Sequence, residues 1–146
     1  MKTILLLCAL YISWQGSQIA QAPVNTSDTT TLNGHWYLQP LLPADTATGK
    51  TPELHFNMSS SSFSGNTGCN AMNGRFTKTD SNFVFNPQIA VTRRFCSGYD
   101  EAAFLRNLQR TNGYKLENGV LVLLFDATEL SRWARKPASR LQIRKA

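Results

Sequence analysis

The Asn118-Gly119 dipeptide constrains this chain most, because it sits between Tyr114-Lys115-Leu116-Glu117 and Val120-Leu121-Val122-Leu123-Leu124-Phe125. Asn-Gly tolerates the positive φ that a tight two-residue hairpin turn requires, so the two flanking arms are expected to pair as antiparallel strands. The second arm is apolar throughout, which predicts a central place in the sheet with both faces covered. Three further Asn-Gly pairs, Asn33-Gly34, Asn73-Gly74 and Asn112-Gly113, punctuate a chain of short β-type segments. These run over His35 to Leu42, Glu53 to Met58, a piece around Phe63, Gly74 to Thr79, Asn82 to Phe85 and Ile89 to Arg94. A last strand around Leu130 to Arg135, carrying Trp133, would return across a turn near Asp126-Ala127-Thr128. One segment breaks the rhythm. Tyr99 to Thr111 holds helix formers, with Asp100 and Glu101 in its first turn and Arg106 and Arg110 near its end, the order that complements a helix dipole. Ala103 or Phe104, Leu105 and Leu108 form its apolar stripe, which should lie on the sheet, with Ser97 or Gly98 near the cap and Gly113 beyond the end.

The 146 residues have room for one ordinary domain, and the first of them read as an address. Lys2 precedes an apolar run from Ile4 to Leu10, and Ala20-Gln21-Ala22 supplies a small-x-small cleavage pattern. Residues 1–22 are therefore expected to be a signal peptide cut after Ala22. The run is too short for a membrane-spanning helix, which needs roughly 20 apolar residues. Cys8 lies within that run and not at its end, which disfavours acylation there. Residues 23–31 are Ser/Thr/Asn/Asp-rich and read as a flexible leader. The domain spans 32–136, and 137–146 form a basic C-terminal tail. Between Arg132 and Lys145 lie six basic residues and no acid, a pattern that suits either a solvated terminus or contact with an anionic membrane surface.

Loss of the signal peptide leaves Cys69 and Cys96 in a chain bound for an oxidising space, and one disulfide is the natural outcome. A metal pair or a catalytic thiol has little to support it, since neither cysteine lies in a CxxC and only His35 and His55 are there to help. Both histidines fall in expected strands beside Trp36 and Phe56, where a packed or half-exposed imidazole is the usual outcome. The nine acids are scattered, and no G-x-S-x-G, Walker loop or dinucleotide motif occurs. The residues thus point away from an enzyme, a resident metal or a cofactor. The net charge of +6 favours anionic surfaces in general, but export and the lack of an RNA-binding motif argue against nucleic acid. The partner expected is an envelope protein or an anionic envelope surface, with the chain itself a monomer.

The stretch Phe63-Ser64-Gly65-Asn66-Thr67-Gly68-Cys69-Asn70-Ala71-Met72-Asn73-Gly74-Arg75-Phe76 resembles the G-x-x-G-C-N-x-x-x-G-x-aromatic signature of the META/HslJ-like family. Leu32-x-Gly34-x-Trp36-x-Leu38, Pro52-x-Leu54-x-Phe56, Ile89-Ala90-x-Thr92 before Cys96, Glu101-x-x-Phe104-x-x-x-Leu108 and Tyr114…Leu121-x-Leu123 follow the family order. The resemblance covers about Leu32 to Lys136. It implies a mainly β fold, a compact antiparallel barrel-like sheet with one helix, and a role in envelope or stress physiology such as heat shock or antibiotic tolerance, with no catalytic activity. Gly65, Gly68 and Gly74 would permit close backbone approaches or unusual φ, and Asn70 would bond its own turn through its side-chain amide. Trp36 and Thr92 carry over as structural positions. Thr92-Arg93-Arg94-Phe95-Cys96 departs from the family's Thr-x-Met-small-Cys, so Arg94 must either reach solvent or a carboxylate, or shift the local register. Two other roles fit a small exported β module: an inhibitor or adaptor of an envelope hydrolase presenting a loop such as Ser59 to Ser64, and a carrier of a small apolar ligand inside the sheet.

Overall fold

The computed structural model describes residues 31–39 and 49–138. The expected signal peptide, nearly all of the leader, the end of the first expected strand (40–42) and most of the tail lie outside those residues. The elements are β1 (Gly34–Leu38), β2 (Glu53–Asn57), β3 (Ser62–Asn66), β4 (Ala71–Lys78), β5 (Phe83–Phe85), β6 (Ala90–Val91), α1 (Glu101–Arg110), β7 (Gly113–Glu117), β8 (Val120–Phe125) and β9 (Thr128–Ala134). The protein is mainly β, and its strands pair antiparallel in the order β5-β4-β3-β2-β1-β9-β8-β7. β6 adds to the first half of β4, through Met72↔Val91 and Asn73↔Ala90, while β5 takes the second half of the same edge.

Alternation sets the inner face. Trp36, Leu38, Leu54, Phe56, Phe63, Met72 and Phe76 are buried at every second position of their strands, and Phe83 and Phe85 complete the set. Several of the phenylalanine rings meet edge to face, Phe56 with Phe76 at 5.4 Å and with Phe83 at 5.3 Å, an arrangement favoured by the ring quadrupoles, while Phe76 and Phe83 stack at 4.8 Å. The sheet curls until its edges meet at one end: the Phe83 amide donates to the Asn112 carbonyl (3.4 Å), and the Tyr114 hydroxyl donates to the Asp80 carbonyl (3.1 Å). Among the described residues no ladder joins β5 to β7, so the sheet is curled like a barrel without being closed.

The hairpin forms at Asn118-Gly119, both with positive φ (51° and 75°). β8 is buried from Leu121 through Leu124, as an apolar arm requires, but it lies second from the sheet's end and not at its centre. The helix starts later than its composition suggests. Its N-cap is Asp100, whose carboxylate accepts the Ala103 amide at 2.9 Å, and not Ser97 or Gly98. A carboxylate is a better acceptor for a first-turn amide than anything glycine offers, and it also suits the positive end of the helix dipole. Leu108 is the buried member of the stripe, with Phe104 and Leu105 half-buried beside it. β4 begins three residues before Gly74, because the turn ending at Asn70 delivers Ala71 directly opposite Asn66. The strand expected over Ile89 to Arg94 shrinks to Ala90–Val91: the Thr92 amide still donates to the Ala71 carbonyl (3.0 Å), but beyond it the Asn70 side chain, not a ladder, holds the backbone of Arg94.

Candidate functional site

The turn between β3 and β4 carries the signature. Asn66 Oδ1 accepts the Gly68 amide (2.8 Å), and the Thr67 hydroxyl accepts the amides of Cys69 (3.1 Å) and Asn70 (2.9 Å). Gly68 holds φ +98°, a conformation that costs a residue with a Cβ. At Gly65 an added Cβ would lie 2.0 Å from the Glu53 carbonyl oxygen, so β2 and β3 approach closely only because that atom is missing. Gly74 lies opposite Phe63, whose ring occupies the space a side chain would take.

Asn70 is fully buried, and most of the partners of its amide come from outside its own turn. Oδ1 accepts from the Thr92 hydroxyl (3.0 Å) and the Arg94 amide (2.8 Å), while Nδ2 donates to the Arg94 carbonyl (3.0 Å) and to Glu101 Oε2 (3.0 Å). The side chain thus bonds its own turn, as expected, only through Cys69 Sγ (3.3 Å), and its remaining partners lie in two distant segments. Thr67 does that local work, which frees the Asn70 amide to join three segments. Thr92 adds a second link: its hydroxyl accepts the Ala71 amide at 3.1 Å. The Cys69–Cys96 disulfide, with Cα atoms 6.0 Å apart, closes the same clasp covalently.

Four members of the clasp were not singled out from sequence for this role. Asn66 and Thr67 lie just ahead of Gly68, where turn-forming side chains belong, so their position was a usable signal. Glu101 accepts from the Thr67 hydroxyl as well as from Asn70, and the Tyr99 hydroxyl donates to the Thr67 carbonyl. These three contacts each span more than 30 residues of chain, and no local pattern announces them.

The residues that depart from the family pattern face outward. The Arg94 side chain is exposed, and its guanidinium donates to the Cys69 carbonyl at 3.1 Å. Phe95 is 94% exposed, more than any other large apolar residue described. Its backbone lies between Arg94, held by Asn70, and the disulfide at Cys96. Beside it runs an open groove of ≈ 750 Å³ whose lining includes Ile89, Val91, Leu105 and Phe95, together with Asn70 and Glu101.

The remaining singled-out residues lie elsewhere. Trp36 is buried, donates from Nε1 to the Leu32 carbonyl (2.8 Å) and carries the Arg135 guanidinium 3.8 Å from its ring. Arg135 also donates to the carbonyls of Thr31, Asn33 and His35, so it clamps the start of the domain and is not part of a free tail. Arg132 pairs with Glu129 (2.6 Å), whose hydrogen bond and charge raise its pKa above the ordinary arginine value. His35 and His55 face each other across β1 and β2, with rings stacked at 4.1 Å. Among the described residues, no three His, Cys, Asp or Glu side chains converge as metal ligands.

The META domain family model matches residues 28–137. A solution structure of a protein from Burkholderia xenovorans is similar at 21% identity and TM-score 0.57, covering 87% of this chain and 99% of that one. A crystal structure of a duf4847 family protein from Bacteroides vulgatus is similar at 14% identity and TM-score 0.58, covering 73% of this chain and 95% of that one. Both are likenesses of fold. No curated protein shows significant similarity to the chain.

Proposed function

The chain belongs to the META domain family, and from that premise we propose that it acts as an exported, non-catalytic binding module of the cell envelope, linked to heat-shock or antibiotic tolerance. One observation carries the reading. The polar groups of the Gly68-Cys69-Asn70 signature are consumed in holding the Thr92–Cys96 segment, so the outward offering of this region is Arg93, Arg94 and Phe95 on a fixed backbone. A reactive site needs groups left available to substrate, whereas a binding surface needs side chains presented with little ordering left to do. Export is supported by the apolar run and the Ala20-Gln21-Ala22 pattern, and an oxidising compartment suits the disulfide.

Mass spectrometry of the unreduced protein purified from the host envelope tests export. The expected species begins at Pro23 and gains two hydrogens on reduction, whereas a full-length chain with free thiols in the cytoplasm would overturn it. For the binding role, cells lacking the protein should survive heat shock or antibiotic challenge less well. Complementation by Phe95→Ser should fail if the presented loop is the working surface.

A further inference from the structure

We propose that the Arg93-Arg94-Phe95 tip is an interfacial anchor for an anionic phospholipid surface, Phe95 entering the boundary between headgroups and acyl chains while the two arginines engage lipid phosphates. The inference rests on reading this loop as the binding surface, and it is independent of export. Three features converge here. Phe95 is 94% exposed, whereas no other phenylalanine, tyrosine or tryptophan among the described residues is exposed, and a lone exposed ring would be unremarkable were it not held in place. It is held on both sides, by the Asn70 amide bonds to Arg94 and by the disulfide at Cys96, so insertion requires little further ordering of the backbone. Arg93 and Arg94 are exposed and, among the described residues, neither forms an ion pair with a carboxylate.

Shape and charge select the occupant. Phe95 is a convex tip, and lipid deforms around a convex tip where a folded protein would need a matching pocket. Cationic side chains flanking an apolar one is the chemistry that anionic interfaces hold. A second copy of this chain would offer the groove of Ile89, Val91 and Leu105 to Phe95, but Arg93 and Arg94 of the two copies would then be brought together. Like charges forced into contact disfavour that arrangement.

The test is co-sedimentation of the disulfide-intact full chain with vesicles of phosphatidylcholine alone or mixed equally with phosphatidylglycerol. Each variant keeps the same N-terminal segment and tail, so differences report the tip. Phe95→Ser should lower partitioning into anionic vesicles about tenfold, the effect of removing one part-inserted ring. Arg93→Gln with Arg94→Gln should lower it about 30-fold, and added salt should weaken the wild type more than this double variant. Phe95→Trp should bind like wild type, with its emission shifting to the blue on anionic vesicles. Equal partitioning of wild type and Phe95→Ser, equal affinity for neutral and anionic vesicles, or unchanged Phe95→Trp emission would each overturn the proposal. So would self-association in solution that Phe95→Ser abolishes while vesicles leave the protein unbound. Failure on vesicles leaves the Pro23 start and the stress phenotype standing, so the two readings fail separately.

Discussion

Asn70 offers two donors and two acceptors in its side chain, and all four are used inside a fully buried site. Replacing it with alanine removes every partner at once and leaves the Glu101 carboxylate and both backbone groups of Arg94 to be resolvated or left unpaired. Asn70→Ala should therefore cost about 3 kcal/mol, since each unsatisfied buried group costs about 1–3 kcal/mol and some of these can reach water. Urea unfolding of the oxidised protein reads this directly, and a loss under 1 kcal/mol would refute the hub. Gly65 presents the opposite case, where an absence matters. Gly65→Ala places a methyl 2.0 Å from the Glu53 carbonyl oxygen, which the β2–β3 ladder cannot absorb without moving a strand. A loss of about 3 kcal/mol is expected, at the upper end of overpacking costs. At this scale, sequence marked Gly65, Gly68 and Asn70 as structurally demanding. It did not say what Asn70 bonds beyond neighbouring Cys69, because those partners lie 22 to 31 residues away.

The helix shows how much one element owes to local chemistry. Its stripe and its charge order were legible, since both depend on residues three or four apart. Its cap was misplaced by two or three residues, because Ser97, Gly98 and Asp100 all have capping character and only the entry path of the chain chooses among them. Asp100→Ala should cost about 1 kcal/mol, the usual price of an N-cap, and thermal melts should show it. The exposed Asp100–Arg106 contact at 3.7 Å adds little to that figure. Arg106→Ala should accordingly leave the midpoint nearly unchanged. β6 marks the limit of strand reading. Ile89 to Arg94 has β-type composition, yet only two residues pair, because after the Thr92 amide's bond to the Ala71 carbonyl the Asn70 side chain takes over from the ladder.

In the whole molecule, the disulfide joins the β3–β4 turn to the segment leading into the helix, across 27 residues. Closing a loop of that length is worth about 3.5 kcal/mol in the chain-entropy description. Reduction under native conditions should lower stability by about that amount, measured by denaturant unfolding with and without a reductant. The clasp predicts a further result: the reduced protein should retain its sheet, because Asn70 and Thr92 still hold the segment, and far-ultraviolet circular dichroism should change little. Loss of most β signal on reduction would show that the covalent link, and not the hydrogen-bonded hub, organises this region. Curling of the sheet is also a property of this scale, since the contacts of Phe83 and Tyr114 with Asn112 and Asp80 bring together strands at opposite ends of the strand order.

Sequence by itself determined the β-rich class, the Asn118-Gly119 hairpin, the helix and its buried stripe, and the pairing of Cys69 with Cys96. Each follows from short-range periodicity, from turn chemistry or from counting. Only the tertiary structure decided that Asn70 ties three segments together, that Arg135 clamps the start of the domain, and that Phe95 stands in solvent. Those outcomes depend on which distant backbone groups arrive beside a side chain, and spacing along the chain carries no record of that arrival. Arg94 illustrates the division. The sequence posed its choice between solvent and a shifted register, and the fold answered by spending the backbone of Arg94 on Asn70 and leaving its charge outside.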